Sequence, residues 1–91
     1  MAWPGRDPLA FFRGLIDELD LELGDLLARR AALTAAVQQV KRARATEPSR
    51  DPRREREIAR RLAERAPALG EDRLARILHA IIIESLDAAP R

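Results

Sequence analysis

The sequence predicts an all-α protein, and three observations carry that prediction. Leu9, Phe12, Ile16, Leu19, Leu23, Leu26, Arg30, Leu33, Val37 and Val40 fall in one register of alternating three- and four-residue spacings. This is the 3.5-residue seam of a long helix packed against another helix. Two Asp-Pro pairs, Asp7-Pro8 and Asp51-Pro52, are helix starts with a capping carboxylate and proline at the first helical position. Elsewhere the chain runs in Ala, Leu, Arg and Glu, with no alternating apolar/polar segment of the kind a strand requires.

The first helix is expected from about residue 8 to about residue 44. Gly14 and Gly24 interrupt it at a cost of about 1 kcal/mol each. The five acids from Asp17 to Asp25 lie mainly off the seam, as a solvated face. About 37 residues at 1.5 Å per residue make a rod about 55 Å long. The remainder of one chain is too short to cover it, so a partner is needed, and a second copy is the simplest. Residues 45–50 form a polar loop. A second helix follows at about 52–66, with a thin stripe of Ile58, Leu62 and the alanines at 59, 63 and 66, and Pro67 stops it. That stripe is expected to pack on the first helix. After a turn over residues 67–70, Glu71 and Asp72 open a third helix at about 71–88, acidic in its first turn. Leu74, Leu78, Ile81, Ile82 and Ser85 form its buried face. The 91 residues are read as one domain, small enough for oligomerisation to matter.

Composition excludes several classes of function. There is no cysteine, hence no disulfide, thiolate nucleophile or cysteine metal site. No apolar run approaches a bilayer span and residues 1–8 lack a signal-peptide core, so a soluble cytoplasmic protein is expected. The net charge of +2 is segregated: residues 41–65 are basic and the flanking segments mildly acidic. Glutamates interrupt the basic stretch and aromatics make up 3% of the chain, which disfavours nucleic acid as a partner.

Arg30 is the misfit, a guanidinium in a register of aliphatics. A charge there is costly unless paired and hydrogen-bonded. Lys41, the one lysine beside sixteen arginines, lies eleven residues on, three turns along the same side of the helix, with Val37 between them. A lone lysine in such a chain suggests a place wanting a compact, flexible point charge. Asp51, Arg54 and Glu55 flank the stripe of the second helix, and Ser85 ends that of the third. The interior inventory is therefore three cations (Arg30, Lys41, Arg54), two carboxylates (Asp51, Glu55) and a hydroxyl. An internal salt-bridge network, Arg30 to Glu55 for instance, would account for part of it. The excess positive charge points to a small dianion. His79 is read as a surface or edge residue.

The pattern Arg13-x-x-Ile16-x-x-Leu19-Asp20, Leu26-Leu27-x-Arg29-Arg30-x-x-Leu33, Val37, Lys41, Asp51-x-x-Arg54-Glu55 and Ile82-x-x-Ser85 resembles the all-α (AroQ-class, type II) chorismate mutases. The resemblance covers residues 9–86, with one residue added in the 42–50 loop. It implies an intertwined homodimer of three-helix chains with shared active sites, each completed by an arginine of the other chain, here Arg13. Helix geometry is in accord, since Arg13 and Arg30 stand about 25 Å apart along one helix.

The implied reaction is the Claisen rearrangement of chorismate to prephenate, in the Phe/Tyr branch of aromatic amino acid biosynthesis. It needs no metal or other cofactor. By resemblance, Arg13 of the partner and Arg30 bind carboxylates, and Lys41 bridges a carboxylate and the ether oxygen. Asp51, Arg54 and Glu55 surround the ring hydroxyl, Ser85 assists binding, and Val37, Ile58, Ile82 and Leu86 form apolar walls. Ala89 departs from the pattern, which usually has Gln or Glu there as the second partner of the ether oxygen. Losing such a donor costs about 3–4 kcal/mol. The consequence is a slow mutase, a site rescued by another group, or a different substrate. The alternatives are a 4-amino-4-deoxychorismate mutase, an isochorismate-pyruvate lyase, or a non-catalytic dimerisation module. Feedback regulation and activation by a shikimate-pathway enzyme partner are not written in the sequence.

Overall fold

A computed structural model describes residues 7–44 and 51–90. The readings made on the first six residues and on the 45–50 loop fall outside the described residues. The described chain folds as three helices, α1 (Pro8–Ala43), α2 (Pro52–Arg65) and α3 (Gly70–Ala88), without a strand. Each boundary lies within about one residue of the position the capping signals indicate.

Those signals act through the atoms expected. Asp7 Oδ1 accepts from the backbone N–H of Leu9 at 3.0 Å and of Ala10 at 3.2 Å. Asp51, in an extended conformation, accepts from the Arg54 N–H at 3.1 Å, and Pro52 follows as the first helical residue. Both carboxylates thus satisfy donors that a helix start leaves without partners.

The α2–α3 turn is built around one carbonyl. Ala66 O accepts from Leu69 N at 3.0 Å and from Gly70 N at 3.3 Å. Gly70 has φ +81°, a left-handed backbone that glycine adopts without a Cβ clash. It is the first residue of α3 and not merely the last of the turn. No side chain caps α3. Its acidic first turn does that electrostatic work and also receives α2: Arg56 Nη1 lies 3.3 Å from Glu71 and 3.4 Å from Asp72, and Arg60 Nε lies 3.5 Å from Glu71. These pairs are exposed and each is worth under about 1 kcal/mol.

The chain divides into two compact units, Met1–Arg30 and Ala31–Arg91. In the first, α1 stands as a rod with its apolar seam in solvent: Leu9, Phe12, Ile16, Leu19, Leu23 and Leu26 are all exposed. In the second, α2 packs along α3 around fully buried Ala59 with Leu74 and Leu78. The sequence reading placed the α2 stripe against the first helix. The structure corrects this, because small Ala59 and Ala63 let α2 lie close to the α3 leucines. Leu62, counted in the stripe, is exposed. Ile81 and Ile82 are half-buried rather than core.

Candidate active site

The last three turns of α1 carry two different faces. Leu33, Val37 and Val40 are exposed on one. On the other, Ala31, Thr34, Ala35 and Lys41 are half-buried and Gln38 is only 8% exposed. The 3.6-residue period explains the split, since positions 31, 34, 35, 38 and 42 share a side opposite to 33 and 40, with 37 and 41 nearer the margin. At the inward side's end, Arg42 Nη1 donates to the Pro90 carbonyl at 2.7 Å. This bond ties the chain just past α3 to the last turn of α1.

From α2, Glu55 projects into partly covered space, with its side chain 13% exposed and Oε1 3.5 Å from Nδ1 of His79 on α3. His79 is itself half in solvent, the edge position expected of it. Asp51 and Arg54 are exposed at the start of α2. One Asp51 oxygen is engaged by the Arg54 N–H, so the carboxylate that caps the helix is the same one assigned to the site.

From α3, Ser85 is buried, and its hydroxyl donates to the Ile81 carbonyl one turn back at 2.6 Å. The proton is therefore committed to the helix, leaving Oγ its lone pairs for an incoming donor. Ile82 and Leu86 are half-buried, as is Ile58 on α2. Ala89 follows α3 as its C-cap, half-buried and extended, with its N–H on the Leu86 carbonyl at 3.3 Å.

The second unit thus holds Val37, Lys41, Asp51, Arg54, Glu55, Ile58, Ile82, Ser85, Leu86 and Ala89. Arg13 and Arg30 belong to the first unit, where Arg13 is exposed and Arg30 half-buried. Two side chains escaped the sequence reading. Arg42 looked like one more arginine of a basic stretch, and its contact with Pro90 spans 48 residues. Gln38 carried a usable signal, four residues after Thr34 and three before Lys41, masked by the more conspicuous charges around it.

Among the described residues, no group of His, Asp and Glu is placed to hold a metal ion. What these elements offer chemically is hydrogen-bond donors and fixed charges, Lys41 and Glu55 half-buried and Asp51 and Arg54 exposed. The sequence from residue 12 to residue 89 matches the family model of chorismate mutase type II. The chain belongs to that family. No curated protein and no solved structure matches it.

Membership accounts for the all-α architecture and the order of three helices, the long one first. Within this chorismate mutase family chain, Ala89 is the residue, of those the resemblance assigns to the site, whose side chain has least to offer chemically. No described helix is long and apolar enough to cross a membrane.

Proposed function

We propose that the protein is a chorismate mutase that converts chorismate to prephenate, acting as a homodimer with shared active sites. The observation that carries the reading is the family match over residues 12–89, with Lys41, Glu55 and Ser85 falling in one compact unit. The rearrangement is pericyclic. The ether C–O bond breaks as a C–C bond forms, and no proton or electron enters or leaves. The protein's task is to hold the dicarboxylate in its compact chair-like form and to meet the negative charge that grows on the ether oxygen.

In this reading Arg30 and the partner's Arg13 take the two carboxylates, and Lys41 bridges a carboxylate and the ether oxygen. Asp51, Arg54 and Glu55 surround the ring hydroxyl, Ser85 orients the bound substrate, and Val37, Ile58, Ile82 and Leu86 wall the ring. Lysine suits its place because a compact ammonium directs its donors to two acceptors at once, which a planar guanidinium does less well. The dimer is supported by the exposed seam of α1, an apolar length that calls for a matching helix.

The test is loss of chorismate absorbance with purified protein, followed by product identification. Prephenate is the expected product. Pyruvate and salicylate formed from isochorismate, or turnover of 4-amino-4-deoxychorismate in place of chorismate, would reassign the substrate; binding and turnover of none of these would leave a dimerisation module. Ala89 is what keeps the neighbouring substrates in the comparison.

A further inference from the structure

Glu55 stands on the packed face of α2. It lies one turn before fully buried Ala59, and its side chain is only 13% exposed. A carboxylate covered to that degree is costly unless charges or donors compensate it. The α3 group that approaches it is the imidazole of His79, with Nδ1 3.5 Å from Glu55 Oε1. His79 follows Leu78, a core residue of α3, and is itself half in solvent. The imidazole therefore meets both water and the carboxylate.

The length of this contact determines its character. At 3.5 Å a neutral imidazole N–H makes at most a weak hydrogen bond, whereas an imidazolium attracts a carboxylate across the same gap. The hold on Glu55 thus depends on the charge of His79. His79 is the one histidine of the chain. Imidazole is the side chain whose ordinary charge change falls roughly between pH 5 and 8.

The neighbouring charges leave that role to His79. α2 is the helix packed on α3, and its Arg56 and Arg60 reach Glu71 and Asp72 at the far end of α3. Asp51, one turn before Glu55, accepts from the Arg54 N–H. On α3 itself, Arg76 lies one turn before His79 and is exposed, and Ile82 and Ile83 follow one turn after. The last torsion of a glutamate side chain is broad, so the plane of its carboxylate is set by what touches it.

We propose that His79 is a positioning residue for Glu55: as the imidazolium it fixes the carboxylate in one orientation toward the ring hydroxyl of the substrate. This rests on the chorismate mutase reading above, which gives Glu55 that hydroxyl. His79 does not touch the substrate. The hydroxyl takes no part in the bond changes, so a better-held acceptor favours bound substrate and transition state alike. The effect belongs to KM and not to kcat.

The experiment measures kcat and KM for chorismate from about pH 5.5 to about pH 8.5 in full-length wild type, His79→Gln, Glu55→Gln and the double variant. Glutamine keeps a polar side chain at position 79 and does not titrate. His79→Gln is expected to raise KM roughly fivefold over wild type at about pH 5.5, the scale of an ion pair with one exposed partner, and less than about twofold at about pH 8.5. Its kcat should stay within about twofold of wild type at both. In the Glu55→Gln background the same substitution should change KM less than about twofold at either pH, because the charge it acts through is gone.

A variant that merely folds less well lowers the apparent kcat and leaves KM unaltered, so the split separates positioning from packing. The proposal is overturned if the KM of His79→Gln follows wild type across the pH range, if its effect persists undiminished in the Glu55→Gln background, or if the loss falls on kcat alone. Wild-type protein that fails to turn over chorismate refutes the enzyme reading and this one with it. Active wild type with any of those three results refutes this one alone.

Discussion

At the scale of single residues, the informative side chains are those whose chemistry disagrees with their surroundings. Lys41 is the compositional exception in an arginine-rich chain, and it lies half-buried at the margin between the two faces of α1. Lys41→Arg is expected to fold normally by circular dichroism and to lose roughly 100-fold in kcat/KM, about 2.7 kcal/mol of transition-state stabilisation. Near-normal turnover in that variant would mean the lysine is a compositional accident. Charged residues drew attention in the sequence because a charge in an apolar register is costly if that register is buried; in the structure Arg30 and Lys41 are half-buried and Asp51 and Arg54 exposed. Gln38 did not, since an amide is cheap on a surface and only its burial gives it meaning. The commitment of the Ser85 proton to Ile81 likewise needed coordinates, since the choice between helix carbonyl and ligand depends on a side-chain rotamer.

At the scale of elements, local chemistry determined nearly everything that was read correctly. Asp7, Asp51 and Pro67 mark helix ends because capping and proline geometry act within about four residues. Asp51→Ala should cost about 1 kcal/mol through the lost bond to the Arg54 N–H, seen as a lower melting temperature, on top of any effect on turnover. Gly70→Ala should cost at least about 1 kcal/mol, because a Cβ is strained at φ +81° although no neighbouring atom crowds it. Gly24→Ala should do the opposite: nothing lies within 4 Å of its added Cβ, and the helix gains about 1 kcal/mol in thermal melts. Which helix the α2 stripe would cover was not legible. An Ala-rich stripe fits closely against any aliphatic neighbour, and the choice of α3 is made by a short turn and by Arg56 and Arg60 reaching Glu71.

At the scale of the whole molecule, the described chain buries few hydrophobic side chains, Ala59, Leu74 and Leu78, against a long exposed row on α1. A core of that size is marginal alone. Leu19→Asp or Leu23→Asp, each placing a charge in the seam, is therefore expected to convert a dimer to a poorly folded monomer, as read by sedimentation and circular dichroism. The proposed sharing of active sites between two chains gives a sharper expectation. Inactive Arg13→Ala and inactive Lys41→Ala chains, unfolded and refolded together, should regain about a quarter of wild-type activity, because hybrid dimers contain one intact site. Recovery of nothing, with hybrids shown to form, would place Arg13 outside the partner's site.

The two-sided end of α1 has a thermodynamic consequence. The turn that presents Val37 and Val40 outward presents Gln38 inward and Lys41 at the margin, within one rigid helix. A force that orders one side orders the other. In the proposed dimeric enzyme, association of two chains and capture of the anion are then linked equilibria, and linkage is reciprocal. A dicarboxylate should lower the dimer dissociation constant by the same factor by which dimerisation raises its affinity, and the melting temperature should rise with either concentration. In a cell with little protein, ligand itself would decide how much of the chain is assembled.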